Sequence, residues 1–235
     1  MAPTLVLVRH AQALHNVNYN YTLMDPVLSE LGVSQCDDLS KSLLAKIPHE
    51  LDVGLIVVSP MRRTIQTALL AFAPLIEKGV PIVADARWQE NSAARCDTGS
   101  PLATLMTEFP QVDFSQVDPV WPDKTTAAGA AYAYNRAAIL TRGQSALRDL
   151  AARPEKAIIV VSHSSFLRQG LSGRWFMNAD YRIFDFEERT GGGESDEEVF
   201  ILLKQWESTL AKGGLGWSKE EVVPIGHELP EGMAR

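Results

Sequence analysis

Leu5-Val6-Leu7-Val8-Arg9-His10-Ala11-Gln12 sets four apolar residues directly before a cation and an imidazole. An unbroken apolar run of this kind reads as a strand buried on both faces, as found inside parallel sheets. A guanidinium that follows at once must emerge at the sheet's edge or find an anion, because burying an unpaired charge is costly. The pattern recurs at Leu55-Ile56-Val57-Val58, followed by Ser59-Pro60-Met61-Arg62-Arg63, and at Ile158-Ile159-Val160-Val161, followed by Ser162-His163-Ser164-Ser165. In open α/β sheets, ligands sit beyond the carboxyl ends of the strands. Three such strands, each delivering Arg or His at that end, predict one pocket suited to a phosphoryl group.

Between these runs the chain alternates helix and strand patterns. Val33, Cys36, Leu39, Leu43, Leu44 and Ile47 mark one helix face, closed by Pro48. Ser59-Pro60 reads as an N-cap followed by proline at the first helical position, which puts Arg62 and Arg63 in the first turn. The helix dipole repels cations there, so an anion is needed to offset them. Ile65, Leu69, Phe72 and Ile76 continue that helix until Pro74 kinks or ends it, and Val80 to Ala84 is a short strand. Residues 91–127 are irregular, with one short helix near Leu102 to Phe109, and predict a lid or specificity loop. A long helix follows from Ala131 to Leu150, weakened by Gly143. Another starts near Ser164 and ends by Gly173. Tyr181 to Glu187 and Val199 to Leu203 form two strands joined by an acidic, solvated turn, and the chain from Gly213 reads as a loose tail.

The 235 residues suit one α/β domain spanning 1–235, with no need for a second. A net charge of −7 argues against a nucleic-acid partner without excluding an anionic substrate, because local cations set the field in a cleft. Cys36 and Cys96 are too few for a disulfide framework or a zinc site. No signal-type segment and no apolar run of about 20 residues appears, so no membrane association is expected and the compartment reads as cytoplasmic. The oligomeric state is not set by the sequence.

The blocks resemble the histidine phosphatase superfamily, also called phosphoglycerate mutase-like. Arg9-His10-Ala11 matches its Arg-His-Gly, with Asn16 where the family carries a phosphate-contacting Asn. Arg63-Thr64-Ile65-Gln66-Thr67 resembles the second block, Trp88-Gln89-Glu90 the one carrying the acid, and Val161-Ser162-His163 the one carrying the second histidine. The resemblance implies a three-layer α/β/α sandwich with a mostly parallel sheet. It implies that His10 attacks phosphorus and becomes a phosphohistidine, while Arg9, Arg63 and His163 stabilise the phosphoryl oxygens. Glu90 then protonates the leaving oxygen and later activates water, which requires a raised carboxylate pKa. Asn16, Ser164, Thr98 and Gly99 are the further candidates for substrate binding, although the segment from Arg95 to Gly99 reads equally well as a plain turn. Ala11 replaces the family's glycine and Ser164 stands where glycine is common, and both add atoms on the phosphate side. His15, His49 and His227 carry no comparable context and read as ordinary loop, helix-end and tail histidines.

No acidic cluster resembles a magnesium site, so neither a metal nor another cofactor is expected. The implied activity is hydrolysis of a small phosphorylated metabolite. The alternatives are mutase-type phosphoryl transfer and non-hydrolytic binding of a phosphorylated ligand.

Overall fold

A computed structural model describes residues 1–190 and 199–232. Its centre is a six-stranded sheet in the order β3-β2-β4-β1-β5-β6. β1 (Thr4–Arg9), β4 (Ala157–Ser162) and β2 (Val53–Val58) run parallel side by side, and β3 (Ile82–Ala84) continues in parallel beyond β2. β5 (Tyr181–Thr190) and β6 (Val199–Gln205) extend the other edge in antiparallel fashion. Of the acidic turn expected over 189–198, residues 189 and 190 belong to β5, and 191–198 lie outside the described residues.

The continuous apolar runs are explained by the layers above and below them. Val6, Val8, Ile56, Val58, Ile159 and Val161 belong to the core shared with α2 (Glu30–Leu44) and α3 (Arg62–Ala71). Their alternate neighbours Leu5, Leu7, Leu55, Val57, Ile158 and Val160 pack with α6 (Arg136–Ala151) and the π-helical segment Phe166–Ser172. Successive strand residues point to opposite faces, so helices on both faces demand apolar residues at every position. Each such side chain contributes about 1.5–3 kcal/mol of burial, most of it offset by the entropy of ordering the chain.

Several local expectations change. Ser59 does not cap α3, which starts at Arg62 with Met61 in the N-cap position and no side-chain cap. The Ser59 hydroxyl instead accepts from His163 Nε2 at 2.9 Å. Pro74 does not kink α3; that helix stops at Ala71, and the proline lies in the first turn of a separate helix, α4 (Ala73–Glu77). The expected long helix starts later, at Arg136, where the Asn135 side chain accepts from the Ala138 N–H. Gly143 is not a simple weakness in it. A Cβ there would stand 2.8 Å from the Gly170 carbonyl oxygen, so glycine lets α6 and the π-helical segment meet backbone to backbone.

Residues 213–232 do not hang free. Asp180 Oδ2 accepts from both the backbone N–H and the hydroxyl of Ser218, and Gly226 N–H donates to Gln169 O. The fully buried Arg182 donates to carbonyls of Trp175, Thr209, Leu210 and Lys219, tying the tail's start to β5. Within 91–127 the structure adds α5 (Leu102–Glu108), at the expected place, and a short 3-10 turn at Arg95–Asp97. Among the described residues, no helix is long and apolar enough to cross a membrane.

Candidate active site

The sheet's register puts the three strand ends level. Arg9 pairs with Ser162 across β1 and β4, and Val58 pairs with Val161 across β2 and β4. Past that line, His10 N–H still donates to Ser162 O at 2.9 Å and Ser59 N–H to Val161 O at 3.1 Å. His10, Ser59 and His163 therefore leave the sheet together, and the His10 and His163 rings stand 5.2 Å apart, edge to face.

Arg63 joins them. Fully buried in the first turn of α3, it donates from Nε to His10 Nε2 at 3.2 Å, and from Nη2 to His163 Nδ1 at 3.0 Å. It also donates to the Cys96 carbonyl at 2.6 Å and to Asp97 Oδ1 at 3.1 Å. A guanidinium can only donate, which settles both imidazoles. His10 Nε2 carries a lone pair, and its Nδ1–H donates to the Ala11 carbonyl at 2.7 Å. His163 accepts at Nδ1 and donates from Nε2 to Ser59. Burial, reinforced first by Arg63, holds both histidines well below the usual histidine pKa, so both are neutral at pH 7.

The cations expected to need an anion at this helix start have protein partners. Arg62 turns the other way, to Glu108 and Ser100, with Asp25 receiving its backbone N–H. Arg63 pairs with Asp97. Carboxylates thus offset part of the repulsion from the dipole.

Glu90 is buried across the cavity from this group. Its Oε1 accepts from the N–H groups of Asn91 and Phe166, and its Oε2 from that of Ser165 at 3.2 Å. Burial, aided by Asp97, still raises its pKa above the ordinary carboxylate range. Oε2, with the single longer contact, is the oxygen with room for a proton. Two buried cations hold the backbone around Glu90. Lys124 donates to the carbonyls of Glu90, Ser92 and Asp97 at 2.7, 2.9 and 2.7 Å. Arg142 donates to Arg87 O, Gln89 O and Asn91 Oδ1, with its guanidinium 4.1 Å from the Phe166 ring centroid. Burial pulls Lys124 down to about 7, yet only its charged form has a proton for each of the three carbonyls.

A polar cavity of about 210 Å³ lies between these walls, and Arg9, His10, Asn16, Arg63, Glu90 and Ser164 all line it. His163 is not in its lining; it is fully buried behind Arg63, and reaches the cavity through that guanidinium. Thr98 and Gly99 lie elsewhere. The Thr98 hydroxyl donates to Ala94 O and the residue borders a separate cleft, while Gly99 is pressed against the Trp121 ring, which would clash with any Cβ. Ala11 does not crowd the phosphate side, because its methyl is buried in the core. The lining also includes Asp97 and four residues the sequence did not single out for the site: His15, Tyr21, Cys96 and Ser165. His15 had one usable signal, its place beside Asn16. Among the described residues, no three His, Cys, Asp or Glu side chains are grouped so as to hold a metal ion.

The comparisons with known proteins bear on the family and the fold. The family model described as histidine phosphatase superfamily (branch 1) matches residues 5–186. The chain belongs to the histidine phosphatase superfamily. A probable phosphatase of Schizosaccharomyces pombe is 32% identical over 170 residues, covering 70% of this chain and 76% of its own. Phosphoglycerate mutase-like protein 1 of Arabidopsis thaliana is 30% identical over 198 residues, with 70% and 69% covered. The crystal structure of the ecdysone phosphate phosphatase from Bombix mori in complex with tungstate superposes with a TM-score of 0.54 at 13% identity, over 78% of this chain and 89% of that one. At that identity the likeness is one of fold. As a member of the superfamily, the chain has the phosphoglycerate mutase-like architecture that the resemblance implied, with helices on both faces of a mostly parallel sheet.

Proposed function

We propose that the protein is a phosphatase that hydrolyses a small-molecule phosphomonoester through a phosphohistidine on His10. The observation that carries this reading is the hydrogen bond from Arg63 to His10 Nε2. It fixes the tautomer with the lone pair on the nitrogen nearest the guanidinium, where a phosphoryl oxygen would also bind. A phosphate oxygen is a stronger acceptor than neutral imidazole. Substrate binding would draw the Arg63 proton to itself and release the Nε2 lone pair for in-line attack.

In the first step the Nε2–P bond forms and the ester P–O bond breaks, while Glu90 gives its proton to the leaving oxygen. In the second, Glu90 takes a proton from water as the water oxygen attacks phosphorus, and the P–N bond returns its electrons to His10. Arg9 and Arg63 meet the charge on the equatorial oxygens in place of a metal, so no divalent ion or other cofactor is needed. Asn16 and Ser164, which line the same cavity, would contact the phosphoryl oxygens, and His163 holds Arg63. Arg9 and Arg63 are the only lysines or arginines lining the cavity among the described residues. That favours one phosphate over the two a mutase must clamp.

The test is a panel of phosphometabolites with phosphate release as the readout, run with and without prolonged chelation and with vanadate. Release from at least one monoester, unchanged by chelator and blocked by vanadate, is expected. Activity lost on chelation and restored by magnesium would overturn the metal-free mechanism. Transfer between hydroxyls without net release would mark a mutase.

A further inference from the structure

His15 lies on a single helical turn, α1 (Leu14–Val17), and its ring centroid is 5.9 Å from that of His10. Its tautomer is set by its neighbours. The Ala13 N–H donates to Asn16 Oδ1 at 3.0 Å, so the other end of that amide is the NH₂ group. This NH₂ group stands 3.0 Å from His15 Nε2, which must therefore accept. The ring's proton is then on Nδ1. Burial and the nearby Arg63 push the His15 pKa down to about 4, so the ring stays neutral at pH 7 and has one N–H to give.

Among the described residues, nothing accepts it. His15 is 5% exposed, and its Nδ1 is buried without a hydrogen-bond partner. Arg9 Nε, on another side chain lining the same cavity, is in the same condition. Buried donors left unpaired are rare and call for an explanation. Unpaired donors on two side chains that line the same small polar cavity as the nucleophile point to one acceptor with several oxygens.

We propose that His15 is a binding residue for the transferred phosphoryl group, donating to one of its oxygens from Nδ1. The inference rests on the phosphatase reading and adds a contact to it. His15 is thus a neutral donor at the phosphoryl group, beside the cationic Arg9 and Arg63.

Two substitutions separate this role from mere support of Asn16. In His15→Asn the side-chain amide falls near the position of Nδ1 and keeps a donor there. In His15→Gln the amide reaches the position of Nε2, keeping the Asn16 contact and losing the Nδ1 donor. The measurements are kcat/KM on nitrophenyl phosphate, inhibition by vanadate and equilibrium binding of inorganic phosphate. His15→Gln is expected to lose about tenfold to a hundredfold in kcat/KM, with phosphate and vanadate affinity falling in parallel, the scale of one hydrogen bond to a charged group. His15→Asn should recover most of that loss. If both variants bind phosphate and vanadate like the parent, or if Gln rescues and Asn does not, the inference is wrong while the phosphatase reading stands. A parent protein that neither binds phosphate nor hydrolyses any monoester would overturn both.

Discussion

Arg63 Nε is hydrogen-bonded to the Nε2 nitrogen of His10, the atom assigned to attack phosphorus, across 3.2 Å. In the proposed mechanism the contact has opposite effects in the two states. Without an oxyanion it keeps the lone pair deprotonated and engaged. With one, Arg63 gains a stronger acceptor and the imidazole is freed. Asp97, His163 and the Cys96 carbonyl hold the other nitrogens of the guanidinium.

Replacing His10 by alanine should abolish turnover and covalent phosphorylation together. The measurement is acid-labile phosphate on rapidly quenched enzyme, with a thermal melt to show that the variant is folded. Substantial residual turnover would remove His10 from the role of nucleophile.

Arg63→Ala should slow phosphoenzyme formation by about 10²–10³ for every substrate, because the charge it meets belongs to the phosphoryl group. It should also lower the melting temperature, since it leaves Asp97 Oδ1 and His163 Nδ1 without the donor they share. A defect that varied with the leaving group would contradict this role.

Glu90→Gln should discriminate between leaving groups in kcat/KM or in the burst. Alkyl phosphates, whose alkoxides leave badly, should be hit hardest, and nitrophenyl phosphate much less. Equal losses would send the search for the acid to Asp97, the other carboxyl lining the cavity among the described residues.

The pH dependence has a definite sign. Burial and Arg63 hold His10 well below 6.5, so kcat/KM should not fall as pH drops through 6.5 on account of the nucleophile. The alkaline limb for alkyl phosphates should come from Glu90 losing a proton that burial holds above the usual 4.5. Nitrophenyl phosphate should lack most of that limb. The same shift enters stability. The native state binds more protons than the unfolded chain between 4.5 and the raised pKa, so the parent loses stability as pH rises through that window. Glu90→Gln should therefore gain stability relative to the parent over that rise, whatever its level at low pH.

Lys124→Met should act on Glu90 from a distance. Removing the ammonium strips three carbonyls of their donor, at a cost of about 1–3 kcal/mol for each group left unsatisfied. The expected signature is a lower melting temperature together with a leaving-group-dependent loss of kcat/KM like that of Glu90→Gln. A uniform loss across substrates would mean that Lys124 supports the fold without positioning the acid.

The sequence by itself determined the strands, the three-layer fold and most of the cavity wall. Four apolar residues before Arg9-His10, and their counterparts before Ser59 and Ser162, already state that these strands are covered on both faces. The burial of a strand and the residues just past its end are local properties of the chain, and adjacent residues are the ones a sequence displays together. Which side chains share a cavity is decided by approaches between distant segments. Arg62 and Arg63 are neighbours in one helical turn, but only the contacts with Glu108 and His10 send one to the surface and the other to the nucleophile. Thr98 and Gly99 sit next to Asp97 in the chain, yet Trp121 holds Gly99 away from the cavity while Asp97 pairs with Arg63. His15 carries only its place beside Asn16 as a signal in the sequence; its role depends on Asn16 fixing its tautomer and on burial leaving its Nδ1 unpaired. A hydrogen bond requires two groups within about 3 Å, and no local pattern records that distance between residues 53 or 100 positions apart.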